Sequence, residues 1–307
     1  MTPRAAIMPR YHVNANSLNV RSTPQVRNDN KIAVLPFGHL VEKVADAGGW
    51  WKIQTRLQEA AIEGFVSSEF LSAEDGFTAP QAATSIRPVH LEENNPKITR
   101  VSSSGRAFPL GEPAMPLRTG TSPEEKRAQL AEIVRFLDVE KNARYTPEPK
   151  ATYCNIYAYD YCYLARVYLP RVWWTEGAIA QLARGEPVFP SYGHTVRELS
   201  ANALYDWLSD FGNLFGWKRA TSLEELQGAA NQGAVCVICA QRTDRNQSGH
   251  ISAVVPEAPP NAARRKGNDV RLPLQSQAGR KNFCYSCGIT SWWQGTQFGR
   301  FGFWIHP

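Results

Sequence analysis

The chain has 307 residues, of which 43% are hydrophobic and 20% charged, a composition that predicts an ordinary globular protein with room for two domains. Its 34 Lys and Arg against 28 Asp and Glu give a net charge of +6, which suits an anionic partner, but no basic block typical of nucleic-acid binding occurs. No apolar run approaches the length of a membrane span, and the N-terminal "MTPRAAIMPRYHV" lacks the apolar core of a signal peptide. We therefore expect neither a nucleic-acid partner nor a membrane span.

Residues 10–72 have the pattern of a small all-β unit. "SLNVRSTP" is a short strand that ends in a proline turn, and "KIAVLPFGHLVEKVADAGGWWKIQT" alternates apolar and polar residues around a turn at Gly48 and Gly49. Short strands at this spacing predict a small barrel, which "GFVSSEFL" completes. Alternation places one of Trp50 and Trp51 inside the barrel and the other outside.

The segment that follows is rich in Pro, Ser, Gly, Asn and Glu and shows no sustained period up to residue 121. Such a composition predicts a connection between domains rather than a core element. We therefore predict a first domain at residues 1–73, a linker at 74–109 and a second domain at 110–307.

Four helices are predicted in the second domain. Ser122 and Glu125 form a capping box for the first, and Ser222 and Glu225 form one for the last. The second helix begins in "TYCNIYAYDYC", and the third lies near 200–211. The segment between them, "LPRVWWTEGAIAQLARGEPVFPSYG", is predicted to be a loop. Strands are predicted at "AVCVICA", "GHISAVV", "VRLPLQSQ" and "FGFWIH". Helices followed by antiparallel strands predict an α+β domain.

The six cysteines are spread over a long chain and do not indicate a small disulfide-rich scaffold, although two pairs have C-x-x-C spacing. "AVCVICA" is predicted to be a buried strand in which Cys236 and Cys239 point to opposite faces, which argues against a shared zinc ion. "CYSC", with Cys284 and Cys287, lies in a predicted loop rich in Gly and Ser. It is left open whether this pair forms a disulfide or binds a metal. We predict no metal or other cofactor for the chemistry described next.

Cys154 stands at the inward-facing start of the second helix. The partial positive charge and unpaired N–H groups of a helix N-terminus lower the pKa of a thiol and favour a nucleophile. The alternative is that Cys154 is a small buried core residue. A thiolate needs a base, and His250 begins a predicted strand, whereas His194 lies in a loop and His306 is next to the C-terminus.

The order of these residues resembles papain-like cell-wall hydrolases of the NlpC/P60 and CHAP families. The resemblance rests on "RYTPEPKATYCNIYAYD" at 144–160, "GHISAVVPE" at 249–257 and "PLQSQAG" at 273–279. It implies a papain-like fold of helices packed on an antiparallel sheet. In these families the cysteine attacks an amide carbonyl, the histidine is the base, and a polar residue on the next strand orients the histidine.

Carried over to this chain, the resemblance makes Cys154 the nucleophile and His250 the base. Gln275 and Gln277 both fit the orienting position, because alternation puts them on one face of a strand, and Glu257 is a rival. A glutamine would fix the imidazole through its side-chain carbonyl but would stabilise the charged ring less than a carboxylate.

Further site residues follow from the same resemblance. The Cys154 N–H is one oxyanion donor, and Tyr145 matches a tyrosine that the NlpC/P60 type uses as another, with ordinary loop packing as its alternative. Trp292 and Trp293 either line a substrate groove or are packed in the core. The usual "DCSG" of the family is "YCNI" here, which marks a divergent branch.

The N-terminal unit resembles a bacterial SH3 (SH3b) domain through "LNVRSTP" at 18–24, "GGWWKIQ" at 48–54 and "GFVSSEFL" at 64–71. SH3b domains commonly bind peptidoglycan or its peptides, so this resemblance implies a targeting module. Together the two resemblances imply a peptidoglycan hydrolase that cuts a stem amide as an endopeptidase or an amidase. We expect a secreted or periplasmic monomer that acts on peptidoglycan or muropeptides. The alternatives are an inactive wall-binding adaptor and an acyltransferase or transglutaminase-like enzyme with the same dyad.

Overall fold

The computed structural model divides the chain into two compact units. One comprises Met1–Arg87 with Thr175–Phe189, and the other comprises Pro88–Trp174 with Pro190–Pro307. Residues 88–109 of the predicted linker thus cluster with the second unit. The structure describes residues 8–14, 17–27, 29–36, 38–57, 60–74, 86–186 and 188–307.

The first unit is built on an antiparallel sheet of seven strands in the order β3-β2-β6-β5-β4-β1-β7. Strands β1 to β7 span Arg10–Val13, Ser17–Arg21, Lys31–Pro36, Leu40–Asp46, Trp50–Leu57, Ala60–Ser67 and Leu71–Ala73. Alternate apolar side chains of these strands form its core, which consists of Val13, Leu18, Val20, Leu35, Val41, Ile53 and Val66. Trp51 packs on this core with its ring 4.5 Å from that of Tyr11, and Trp50 is also half-buried. The strands predicted for residues 10–72 are therefore present in this sheet.

The second unit contains an antiparallel sheet of six strands in the order β10-β17-β11-β12-β15-β16 and two small ribbons, β8 with β9 and β13 with β14. Strands β8 to β17 span Val172–Trp174, Val196–Glu198, Lys218–Arg219, Val235–Arg242, His250–Val254, Arg264–Lys266, Asp269–Leu272, Gln275–Gln277, Phe283–Ser286 and Phe298–His306. Strand β11 is central and almost wholly buried, so Cys236 and Cys239 are both core residues.

Five helices are described. They are α1 to α5, at Pro123–Leu137, Cys154–Leu164, Glu176–Ala183, Ala201–Asp210 and Leu223–Asn231. Helix α2 packs on β12 and β15, while α4 and α5 pack on β11. Helices packed on an antiparallel sheet, together with the seven-stranded sheet of the first unit, make the chain an α+β protein, as predicted. No helix in the described ranges has the length and apolarity to cross a membrane.

Two local predictions are wrong. The segment predicted as a loop between the second and third helices contains β8 and α3, because Thr175 accepts a hydrogen bond from the Ala178 N–H and caps an Ala- and Leu-containing run. The flanking Pro and Gly residues are typical of loops, and for that reason this helix was not predicted. "CYSC" is also not a loop, because its first three residues belong to the edge strand β16.

The N-terminal caps of helices α1 and α5 differ. For α1, Ser122 and Glu125 form the complete predicted capping box. For α5, Ser222 accepts from the Glu225 N–H, but the Glu225 carboxylate instead binds the backbone N–H and hydroxyl of Thr221. Only half of the second predicted box is therefore formed.

A buried ion pair fixes α2 to the chain segment before it. The Arg144 guanidinium contacts both carboxylate oxygens of Asp160 at 2.6 and 3.0 Å, and both side chains are wholly inaccessible to solvent. Arg144 also donates to the carbonyl groups of Gly105 and Phe108, and the Tyr145 hydroxyl donates to Asp160 over 2.9 Å. The pair thus satisfies the hydrogen-bonding capacity of two buried charges on one side of the helix.

Replacing Arg144 with methionine should destabilise the second unit by about 3–5 kcal/mol, because Asp160 would remain buried without a counter-charge. Chemical unfolding followed by circular dichroism measures the loss. Arg245→Met, which breaks the exposed pair with Asp206, is the matched control and should cost no more than about 1 kcal/mol. Equal losses in the two variants would contradict the proposed role of the buried pair.

Candidate active site

Cys154 is the first residue of α2, and its thiol is almost buried, with 3% of the residue exposed. The preceding residue, Tyr153, makes no side-chain cap, and the Cys154 N–H has no hydrogen-bond partner in the described part of the chain. The Asn155 amide group donates to the carbonyl of Leu199 over 2.8 Å and fixes the first turn. The helix therefore presents an unpaired N–H and its positive end at the thiol.

His250 is the first residue of β12, the strand on which α2 packs. It pairs with Ala240 in the register of β11 and β12, and its imidazole is near enough to the Cys154 thiol to lower the pKa of that thiol. A Cβ on Gly249 would lie only 2.6 Å from the Ala240 carbonyl oxygen, so a glycine is needed directly before the histidine. The imidazole is thus held by a strand rather than by a free loop.

Asn202, on α4, fixes the connection that leads to His250. Its side chain accepts from the Arg242 N–H over 2.9 Å and donates to the Gln247 carbonyl over 2.8 Å. These two bonds tie together the two ends of the loop between β11 and β12. Asn202 was not predicted from the sequence, because a buried amide on a helix face carries no sequence signal for this role.

The pKa values of the two groups shift in directions that favour an ion pair. Burial raises the pKa of Cys154, but the charge and hydrogen bond of His250 and the N–H groups of Ile251 and Asn155 outweigh burial and lower it. Burial lowers the pKa of His250, and Arg242 acts in the same direction, but Cys154 and Gln277 outweigh both and raise it. A lowered thiol pKa beside a raised imidazole pKa favours thiolate with imidazolium.

Cys154 differs in this respect from the other cysteines of the chain. Burial raises the pKa of Cys162, at the far end of α2, and those of Cys236 and Cys239. Burial also raises the pKa of Cys284 to about 11 and that of Cys287. All five are free thiols whose surroundings disfavour the reactive thiolate.

Gln277 is the glutamine that contacts the imidazole. Its Oε1 lies 2.7 Å from His250 Nε2, and its Nε2 donates to the Lys281 carbonyl over 3.2 Å, which sets the orientation of the amide. Because an amide oxygen only accepts, His250 Nε2 carries the hydrogen, and Nδ1 is left for the sulfur.

Gln275 is buried and has other partners. Its Oε1 accepts from the Ser252 hydroxyl over 2.8 Å and from the Trp292 indole N–H over 2.9 Å. The Trp292 ring in turn meets the His250 ring edge to face, with 4.6 Å between centroids. Gln275 therefore positions the tryptophan that packs against the base, while Gln277 contacts the base itself.

The remaining predicted site residues lie in other surroundings. Trp293 is 1% exposed and is packed in the core. Trp292 is half-buried beside the base. The hydroxyl of Tyr145 is buried and bound to Asp160.

Glu257, the rival for the orienting position, pairs with Arg265 and accepts from the Ala263 N–H and from Asn231. The two other candidate histidines have different settings: His194 is exposed, and His306 packs against Trp217.

A cleft of about 570 Å³ adjoins the base. His250, Gln277 and Trp292 line it, together with Thr152 from the segment before α2. In the described ranges no group of three or more His, Cys, Asp or Glu side chains is arranged to hold a metal ion. The base and its orienting group line this cleft, and the nucleophile is the buried Cys154 thiol next to the base.

The rate at which iodoacetamide alkylates Cys154 should rise through a midpoint below pH 8.5, the ordinary thiol value. The thiolate reacts, and its lowered pKa means that it persists at a pH where an ordinary thiol is protonated. In His250→Ala the midpoint should move upward, because burial would then act without the compensating imidazolium. Mass spectrometry of the labelled peptides separates Cys154 from Cys284 and Cys287. An unshifted midpoint in the variant would contradict the ion pair.

Comparisons with known proteins add little. No protein-family model matches the chain, and no curated protein matches it. Among solved structures, NlpC2 from Trichomonas vaginalis matches over 99% of this chain and 98% of its own, with 9% identity and a TM-score of 0.25. A TM-score this low carries no argument about fold or function.

Proposed function

We propose that this chain is a cysteine hydrolase that cleaves an amide bond in the peptide stem of peptidoglycan. The observation that carries the proposal is the placement of Cys154 at the start of α2, which packs on the strand that His250 begins, with Gln277 bound to the imidazole and the pKa of the thiol lowered. A nucleophile in contact with a base that a third group orients is the arrangement that acyl transfer requires. The sequence resemblance to NlpC/P60 and CHAP hydrolases supports the same chemistry.

In the proposed mechanism the Cys154 thiolate attacks the amide carbonyl carbon. The oxygen becomes an oxyanion, to which the unpaired Cys154 N–H is one donor. The imidazolium of His250 passes its Nδ1 proton to the departing nitrogen as the C–N bond breaks, leaving a thioester and a free amine. The neutral imidazole then takes a proton from water, whose oxygen attacks the thioester. The carboxylic acid departs, and the thiolate and imidazolium are restored.

Gln277 would hold the imidazole in place through both steps. A neutral amide keeps Nε2–H directed at one acceptor and so keeps Nδ1 toward the sulfur and the leaving group. It adds no negative charge, so the imidazolium depends on the Cys154 thiolate for most of its stabilisation. Tyr145 is proposed to support α2 through Asp160 rather than to bind the oxyanion, because its hydroxyl is already bound there.

The peptidoglycan part of the proposal rests on the N-terminal unit and its resemblance to SH3b domains. An SH3b-type unit in the same chain would bring the hydrolase to the wall and raise its local concentration there. The proposal implies action outside the cytoplasm, where peptidoglycan lies.

Digestion of purified peptidoglycan tests the function. We expect the chain to release muropeptides, with mass spectrometry showing the gain of one water per cut at a stem amide. Cys154→Ala, which keeps the rest of the chain, is the control and should release none. Wall binding without cleavage would favour the adaptor, and transfer of the acyl group to an added amine in place of water would favour the acyltransferase.

A further inference from the structure

The cleft beside the proposed catalytic pair has an uneven distribution of charge. Its charged lining side chains, besides His250, are Lys150, Arg242, Arg280 and Lys281, and no Asp or Glu lines it among the described residues. The chain as a whole is nearly balanced, with 34 basic and 28 acidic residues. A concave surface lined by one sign of charge focuses its field and attracts ligands of the opposite sign.

These four cations are not neutralised by carboxylates within the described ranges. Arg242 donates through Nε to the Ser248 carbonyl over 2.9 Å, and Arg280 donates to the Glu148 carbonyl over 2.8 Å. Both partners are neutral peptide oxygens, so the charges remain available. The side chains of Lys150 and Lys281 are exposed and have no hydrogen-bond or ion-pair partner in the described part of the chain.

A second depression extends the cleft past Trp292. It shares Ile289, Thr290, Trp292 and Gln297 with the first, has a volume of about 830 Å³, and is also lined by no acidic side chain within the described residues. Arg264 and Arg271 line it, the first donating to the Gly288 carbonyl and the second paired with Asp269. Ile289, which lines both depressions, is exposed and apolar, and the two depressions together are called the groove below.

We propose that the groove binds a substrate with a carboxylate close to the scissile amide, and that Arg242, Lys150 and Lys281 recognise this carboxylate. The proposal rests on the proposed hydrolase function and specifies its substrate class as an anionic peptide amide. Arg242 is placed to act near the reacting carbonyl, because it lines the same cleft as His250 and its charge acts on that ring. Lys150 and Lys281 provide two further flexible cations.

Alkylation of Cys154 by two reagents of similar size tests the groove without any substrate. Iodoacetate carries a carboxylate and iodoacetamide does not, so the ratio of their rate constants measures attraction of an anion to the thiolate. We expect this ratio to fall by about 10-fold in the double variant Lys150→Gln/Lys281→Gln, and in Arg242→Gln, since a hydrogen bond to a charged group is lost. The control Lys266→Gln, which removes an exposed charge that does not line the groove, should leave the ratio unchanged.

Paired peptides then show where the carboxylate lies. One pair carries Glu or Gln on the acyl side of the scissile amide, and another carries them on the amine side; the preferred pair identifies the side. We expect kcat/KM to favour the acidic member by about 10-fold or more in the wild type and less in the double variant. High salt should reduce the preference.

The outcomes separate this inference from the proposed function. An iodoacetate ratio that is the same in the wild type and both groove variants would overturn the recognition of a carboxylate, whether or not the chain hydrolyses peptides. A ratio that falls as expected in a chain that cuts no amide would support the anionic groove and remove the hydrolase. Because Lys150 and Lys281 make no side-chain bonds in the described structure, loss of folding is not expected to obscure the double variant.

Discussion

Cys154→Ala should abolish hydrolysis, lowering kcat/KM by about 10⁴-fold or more. The substitution removes the sulfur that would form the thioester, and no other thiol in the chain has a lowered pKa to replace it. Cys154→Ser should be similarly inactive, because an alcohol in contact with an imidazole and a glutamine lacks the thiolate that makes the cysteine reactive. Rates are measured with muropeptides, and folding is checked by circular dichroism.

The matched control is Cys162→Ala, at the other end of the same helix. Cys162 is as fully buried as Cys154, so its removal makes a comparable cavity in the core without touching the dyad. We expect Cys162→Ala to lose about 1 kcal/mol or more of stability but to keep its activity. Full activity in Cys154→Ala, with normal circular dichroism, would remove the proposed nucleophile.

Much of the fold is visible in the sequence because local patterns and caps determine it. Ser122 and Glu125 mark the start of α1, and the apolar run of β11 predicts a strand buried on both faces, with Cys236 and Cys239 on opposite faces. Helix α3 was missed because its Thr175 cap is embedded among Pro, Gly and Trp residues that are typical of a loop. In such a segment the local signals conflict, and tertiary packing determines the outcome.

The candidate site was predicted less completely, and the reason is that partners far apart in sequence determine it. Alternation gives Gln275 and Gln277 the same face, yet the indole N–H of Trp292 engages one and His250 engages the other. The pairing of β15 with β16 is also irregular between these two positions.

The buried pair of Arg144 and Asp160 shows the same limit. The two residues are sixteen positions apart, and nothing local indicates that both charges are withdrawn from water. The family resemblance therefore implied a role for Tyr145 at the oxyanion, while in the structure its hydroxyl is bound to Asp160.

His250→Ala should lower kcat/KM by about 10³-fold or more, because one ring serves as the base, the proton donor to the leaving group and the partner that lowers the thiol pKa. His194→Ala is the matched control and should retain activity, since His194 is exposed on a loop and does not line the cleft. Activity is measured on the same muropeptides across a range of pH.

Gln277→Ala should fall between these two variants, with a loss of about 10-fold to 100-fold, because the base would remain but would lose its hydrogen bond at Nε2. Gln277 raises the pKa of His250, so its removal should shift the alkaline limb of the pH profile to lower pH. Gln277→Glu should shift that limb to higher pH, because a carboxylate favours the imidazolium more than an amide does. A residue that only supported the fold would lower activity without moving the limb in opposite directions in the two variants. Identical profiles for Gln277→Ala, Gln277→Glu and the wild type would show that Gln277 does not orient the base.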